Sequence, residues 1–318
     1  MQAPESTQPA ARSLKKTLIA YIRAMRPKQW TKNMLVMAPL IFAGKGIDVH
    51  LVTSAILCFF SFCTVSSSVY IVNDILDRQA DMLHPRKCKR PIAAGEIPLP
   101  IAWGFAVVLA ISGLALGFYV RHALILVLFG YLALTAAYSF VLKHEAILDV
   151  LSIAAGFLLR GVAGACAIHV PCSGWFLLCT GLGALFLALE KRRSELTILQ
   201  NSSDAHRKAL KGYSPRMFDR MEALVLPSLL TAYVFYGFLS VHGQWMMLTV
   251  PFVVYGLMRY QQLSCSGDDL TSTPEEVLLK DRRIQIALIF WLATSIGVIY
   301  GGIEWFLRVT VHALDSLH

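Results

Sequence analysis

Long apolar runs alternate along the chain with short breaks that are charged or marked by Pro and Gly. Each run approaches the roughly 20 residues that a helix needs to cross a hydrocarbon layer. Nine spans are expected, near 29–44, 51–73, 99–120, 122–142, 148–169, 174–189, 221–241, 245–260 and 284–306, the first of them short. An odd number puts the termini on opposite sides of the bilayer. Met1 to Arg12 is polar and lacks the apolar core and small-residue cleavage site of a secretory signal. Leu14 to Arg23 then alternates apolar and basic residues at helical spacing, which suits an amphipathic helix lying on the membrane surface. The expected organisation is a tail and interfacial helix over 1–25, one nine-helix domain over 26–306 and a short extracytoplasmic tail over 307–318.

Composition agrees with an all-α polytopic membrane protein. Of 318 residues, 56% are hydrophobic and only 15% charged, which excludes an ordinary soluble domain and a disordered chain. The seven cysteines form no CxxC pair and sit mostly in apolar runs, so they read as small packing residues rather than disulfides or metal ligands. The net charge of +9 fits anionic lipid headgroups and basic cytoplasmic loops, with no nucleic acid partner needed. With the N-terminus inside, 25 of the 29 Lys and Arg residues fall in inner segments, while only Lys45, Arg121 and Arg308 fall outside and Arg160 lies within a span. That asymmetry orients the chain in the inner (cytoplasmic) membrane, N-terminus in the cytoplasm and C-terminus outside, with the chemistry at the cytoplasmic face. The amphipathic N-terminal helix also offers a face through which copies can associate as a homo-oligomer.

The second span ends in Asn73, Asp74, Asp77 and Asp81. On a continuous helix the three carboxylates share one face, with Asn73 to the side. Three acids at the C-terminal end of a span oppose the helix dipole and repel one another unless a cation lies between them. Oxygen donors without His or Cys favour Mg2+, which commonly bridges to substrate phosphates; the alternative is a solvated, acid-rich helix end. Directly downstream, Arg86, Lys87, Lys89 and Arg90 crowd the same boundary. Positive-inside topology alone explains a basic loop, but cations beside a Mg2+ site also form the usual clamp for a leaving diphosphate.

Asp149 and Arg160 stand three helical turns apart on one face of the fifth span. An intramembrane Arg is either a structural tie to backbone carbonyls or a ligand contact, and spacing does not decide between them. The sixth span runs into Glu190, Lys191, Arg192, Arg193 and Glu195, both signs within little more than one turn. Pro274, Glu275 and Glu276 read as a capped helix start in a cytoplasmic loop. Trp30 suits an interfacial anchor, whereas spacing assigns nothing further to Lys32 and Asn33 beside it.

The run from Asn73 to Asp81, followed by Pro91-Ile92-Ala93-Ala94-Gly95, resembles the acidic motif of the UbiA superfamily of intramembrane prenyltransferases. The resemblance implies a nine-helix bundle with a site open to the cytoplasm and a lateral path for a polyprenyl chain. Five segments, 26–33, the acidic motif, 138–143, 189–196 and 274–282, resemble more narrowly the branch of that superfamily that transfers phosphoribosyl groups to a polyprenyl phosphate. Where the aromatic-acceptor enzymes carry a second acidic DxxxD motif, this chain places three cations between Glu190 and Glu195. Cations there suit a donor with an additional phosphate, as in phosphoribosyl diphosphate (PRPP).

The resemblance therefore implies a Mg2+-dependent transfer of 5-phosphoribosyl from PRPP to a decaprenyl-like phosphate. Asp74, Asp77, Asp81 and Asn73 would hold the metal, and Arg86, Lys87 and Arg90 the leaving diphosphate. Lys143, Lys191, Arg192 and Arg193 would meet the 5-phosphate or the lipid phosphate, with Lys32, Tyr138 and Glu190 as further substrate contacts. The rival reading is a prenyltransferase moving an isoprenoid from its diphosphate to an aromatic or lipid acceptor; a more distant one is a transporter.

Overall fold

A computed structural model describes residues 14–42, 44, 48–84, 87–200, 213–239, 243–265 and 274–301. Among them the chain is helical and contains no strand. Helix α1 (Leu14–Met25) leads into a 3-10 segment, Pro27–Met37, and a short α2 (Ala38–Phe42). The long rods are α3 (Val49–Leu76), α5 (Leu99–Val120), α6 (Leu124–Phe140), α7 (Ala146–Ala167), α8 (Gly174–Gln200), α9 (Pro215–Leu239), α10 (Val250–Cys265) and α12 (Arg282–Ile299). Short helices α4 (Arg78–Leu83) and α11 (Pro274–Lys280) lie between them.

Six of these, α3, α5, α7, α8, α9 and α12, are long and apolar enough to cross a membrane, and α6 is a shorter apolar helix. The expected first span differs in kind: it is mostly 3-10 helix, so its apolar run is not a regular α-helical rod. Eleven residues is long for a geometry that rarely exceeds three or four, so tertiary contacts must hold it. The end of the expected ninth span, past residue 301, and the tail over 307–318 lie outside the described residues.

Packing explains the arrangement. Gly113 lets α5 approach α3, because a Cβ there would stand 2.5 Å from Thr64 Oγ1 and 2.6 Å from Val65. Across the same contact Ser61 donates to the Gly113 carbonyl at 2.8 Å, a small-residue and hydroxyl interface typical of membrane helices. Apolar cores fill the spaces between the helices. One joins α1, α3 and α5 through Ala20, Ala24, Ile71 and Ala102. A second joins α3, α6 and α7 through Phe62, Leu128 and Ala163, and a third joins α8, α9 and α10 through Phe186, Phe218 and Tyr260. Outward, α5 exposes Ile101, Val107, Val108 and Ile111, a surface suited to lipid.

Candidate active site

The chemistry gathers where α3 ends. Helix α3 stops at Leu76 and α4 begins at Arg78, with Asp77 at φ −86°, ψ 4° between them. The single carboxylate face expected on a continuous helix is therefore interrupted. Asp74 and Asp81 turn inward, each 2% exposed, while Asp77 is exposed to solvent. The two buried acids meet through Arg90, whose Nη1 donates to Asp74 Oδ1 at 3.0 Å and to Asp81 Oδ2 at 2.6 Å. Arg26 Nη2 also donates to Asp74 Oδ1, and its guanidinium lies 5.2 Å from the Tyr70 ring centre. Buried carboxylates are tolerable only with such partners, because an unpaired one would carry a desolvation cost of several kcal/mol.

A second polar centre sits on α7 and α8. Arg192 grips Asp149 with two bonds, Nε to Oδ2 at 2.5 Å and Nη2 to Oδ1 at 2.8 Å. Its Nη1 donates to Glu195 and its Nη2 also to the Tyr138 hydroxyl at 2.9 Å, while that hydroxyl donates to Asp149 at 3.0 Å. Tyr213, just before α9, donates to the Ala146 carbonyl one turn from Asp149. Burial and the neighbouring Asp149 charge push its phenol above the usual tyrosine range. The last turn of α6 ties the two centres together: Tyr138 belongs to the second, and Ser139 donates to Asn73 Oδ1 in the first at 3.0 Å.

The other nominated residues divide by position. Lys32 Nζ donates to Gln29 Oε1 at 2.7 Å within the 3-10 segment, and Lys143 is half-buried in the turn between α6 and α7. Lys87 is exposed in the loop after α4, and Arg86 lies outside the described residues. Lys191 Nζ stands 4.0 Å from Glu195. Arg193 turns away from both centres, towards α9, where it donates to Glu222 at 2.9 Å and Asp219 at 2.8 Å. Glu190, 1% exposed, lies near Ser264 of α10, about 200° around α8 from Arg192.

Arg26 escaped nomination although it opens a segment whose composition stands out. Its signal is the Arg-Pro pair, because Pro27 fixes the start of the 3-10 turn that aims it. Arg160 resolves as a structural tie. It donates to Asn33 Oδ1 at 2.8 Å, the Gly156 carbonyl at 2.8 Å and the Tyr131 hydroxyl at 3.0 Å, and lies over the Tyr131 and Phe157 rings. These neutral partners join α7 to α6 and to the 3-10 segment.

Among the described residues no three His, Cys, Asp or Glu side chains converge as a metal group. The donors around Asp74 nonetheless fit a hard cation: two buried carboxylates, the Asn73 amide and exposed Asp77 offer oxygen alone.

Comparison with solved structures gives the same architecture. A UbiA homologue from Archaeoglobus fulgidus bound to GPP and Mg2+ superposes with a TM-score of 0.66, at 20% identity, over 88% of this chain and 99% of that one. A digeranylgeranylglyceryl phosphate synthase gives 0.64, at 18% identity, over 90% and 99%. By sequence, the chain is 35% identical over 312 residues to the decaprenyl-phosphate phosphoribosyltransferase of Mycolicibacterium smegmatis, covering 93% of this chain and 97% of the relative. The enzyme of the same name from Mycobacterium tuberculosis is 36% identical over 296 residues, 91% and 95% of the two chains. The profile of the UbiA prenyltransferase family matches residues 34–273, and with its acidic motif at the mouth of a helical bundle the chain belongs to that family.

Proposed function

We propose that the chain transfers the 5-phosphoribosyl group of phosphoribosyl diphosphate to a polyprenyl phosphate and releases diphosphate. The observation that carries this reading is the 35% identity, over 93% of the chain, to a decaprenyl-phosphate phosphoribosyltransferase. The cation-rich end of α8 supports it, since Lys191, Arg192 and Arg193 replace a second acidic motif and suit a donor with one more phosphate than a prenyl diphosphate.

Nine membrane passages complete the architecture, the 3-10 segment with α2 and the 243–265 stretch supplying two of the short ones and α6 the third. The chain sits in the inner membrane with its N-terminus in the cytoplasm, which puts Asp74, Asp81 and Arg192 at the cytoplasmic face where a soluble donor arrives. Residues 26–306 act as one transferase domain behind the interfacial α1.

In the reaction Arg90, with Lys87 and Arg86, neutralises the departing diphosphate. Lys143, Lys191 and Arg192 orient the 5-phosphate or the lipid phosphate, with Lys32 and Tyr138 supporting that end of the site; Arg193, paired with Glu222 and Asp219, and Glu190, on the other side of α8, take no part. The attacking phosphate oxygen is already anionic at neutral pH, so positioning and charge neutralisation carry the rate and no strong base is required. Displacement at the anomeric carbon inverts it from α to β. Asp74, Asp77, Asp81 and Asn73 would hold Mg2+, which supplies charge neutralisation on the donor diphosphate when bound.

The test is transfer of radiolabel from ribose-labelled phosphoribosyl diphosphate into the organic phase, with polyprenyl monophosphate, with and without Mg2+. Label in lipid that requires Mg2+ and vanishes in Asp74→Asn supports the reading. Absence of label from folded, lipid-binding protein rejects it, and a prenyl diphosphate becomes the donor to test.

A further inference from the structure

Asp74 is 2% exposed, whereas the arginine side chains bonded to it are far more open, Arg26 at 26% and Arg90 at 28%. The arginines stand between the carboxylate and solvent. Both guanidiniums bond the same oxygen, Oδ1, so a cation that takes that oxygen must displace at least one of them. Arg90 is shared with Asp81, but the ion pair of Arg26 is with Asp74.

The backbone of Arg26 is unusual. At φ 55°, ψ 62° it is a non-glycine residue in the left-handed region, directly before Pro27. Such a conformation is strained and persists only where the surroundings enforce it. Here they do. Trp30 Nε1 donates to Ser67 Oγ at 3.1 Å, and Ser67 donates to the Met25 carbonyl at 2.9 Å, so both sides of Arg26 are fastened to α3. Asn33 fastens the far end, donating to Ser66 at 3.1 Å and accepting from Arg160 at 2.8 Å. The strain holds one side chain against one buried acid.

We infer that Arg26 is a built-in counter-ion that holds Asp74 while the site is empty and exchanges with a divalent cation as its guanidinium passes to the donor diphosphate. The inference rests on Asp74 being a cation ligand, as in the function proposed above. The exchange keeps every buried charge paired: the carboxylate trades a guanidinium for a metal ion, and the guanidinium trades a carboxylate for a phosphate. Cation affinity without donor is thereby held down, and the binding of cation and diphosphate is coupled.

The experiment measures Mn2+ binding to the full chain in detergent without donor, reading free Mn2+ by electron paramagnetic resonance. Arg26→Gln is expected to bind Mn2+ about tenfold more tightly, the worth of one hydrogen bond between charged groups. Arg26→Lys keeps the charge but loses the fork and gives a smaller rise in the same direction; it carries the test should Arg26→Gln fail to fold. Arg23→Gln removes a nearby charge that is engaged instead with Glu96 and the Lys89 carbonyl, and changes the affinity less than twofold. In label transfer, the donor KM rises about tenfold in Arg26→Gln as the diphosphate loses its partner.

Unchanged or weaker Mn2+ binding in Arg26→Gln, or an equal rise in Arg23→Gln, overturns the counter-ion role. The two readings fail differently. Mn2+ binding that is absent, or that survives in Asp74→Asn, removes Asp74 as a cation ligand and with it the metal part of the proposed function. Binding that depends on Asp74 but ignores Arg26 removes this inference alone.

Discussion

Replacing Gly164 by Ala probes the contact that sets the 3-10 segment in place. A Cβ at 164 would stand 2.1 Å from the Val36 carbonyl oxygen, 2.9 Å from its carbon and 3.1 Å from Pro39 Cδ. Carbon–oxygen contacts across packed helices settle near 3.3 Å, so the segment must retreat by about 1 Å. It cannot do so freely, because Arg160, one turn earlier on α7, holds Asn33 at 2.8 Å. Overpacking costs about 1–3 kcal/mol and a stretched bond to a charged donor about 1.5 kcal/mol more, so a loss of about 3 kcal/mol is expected. In a chain of this size that lowers the melting temperature by roughly 4–5 °C. The matched control is Gly183→Ala on α8, where a Cβ would meet nothing within 4 Å. It should gain up to about 1 kcal/mol from helix propensity. Melting in detergent reads the difference, and label transfer should show a raised donor KM in Gly164→Ala as Arg26 moves with its segment. If Gly164→Ala melts at or above Gly183→Ala, the segment does not rest against α7 and the argument for its strained entry fails.

Further outcomes follow from the site. Asp149→Asn breaks a buried pair while leaving Arg192 inside, so it should lose about 3 kcal/mol in thermal melts. Asp77→Asn, at an exposed position, should melt within about 0.5 kcal/mol of the parent, yet lose roughly a hundredfold in label transfer if Asp77 serves the cation. Asp281 caps α12, accepting from the Ile284 amide at 2.8 Å and from Arg259 at 2.8 Å. Burial opposes its charge, but the Arg259 hydrogen bonds and helix amides outweigh it and hold the carboxyl below its ordinary value. A depressed folded-state value means stability that is complete above about pH 4 and lost as pH falls through the folded value. Asp281→Asn keeps a cap but loses the charge paired with Arg259, so it should cost about 1–2 kcal/mol at pH 7, with the gap to the parent closing in melts taken below pH 4.

Much of the fold was legible because membrane insertion is a local property. A 28-residue apolar run such as Val49–Leu76 needs only its own composition to be driven into hydrocarbon, and the boundaries at Leu99 and Val120 are written in a Pro-rich loop and Arg121. The acidic motif was visible for the same reason, as its four residues lie within nine positions. The first span was misjudged in kind because an apolar run does not specify α over 3-10 geometry. That choice depends on Trp30 reaching Ser67 and Asn33 reaching Arg160.

The partners of the charges were out of reach. Arg26 and Asp74 are 48 residues apart, Arg192 and Asp149 are 43, and Arg160 and Asn33 are 127. Helical periodicity sets Arg192, Arg193 and Glu190 on different faces of α8, but does not say which neighbouring helix each face meets. The sequence by itself determined a helical membrane protein with acids gathered at the end of one span, because hydropathy and charge act residue by residue. Tertiary structure alone decided that Arg90 bridges Asp74 and Asp81, that Arg26 covers Asp74 and that Ser139 joins the two polar centres. A buried charge takes whichever partner packing brings within hydrogen-bonding distance, and packing is a property of the whole chain.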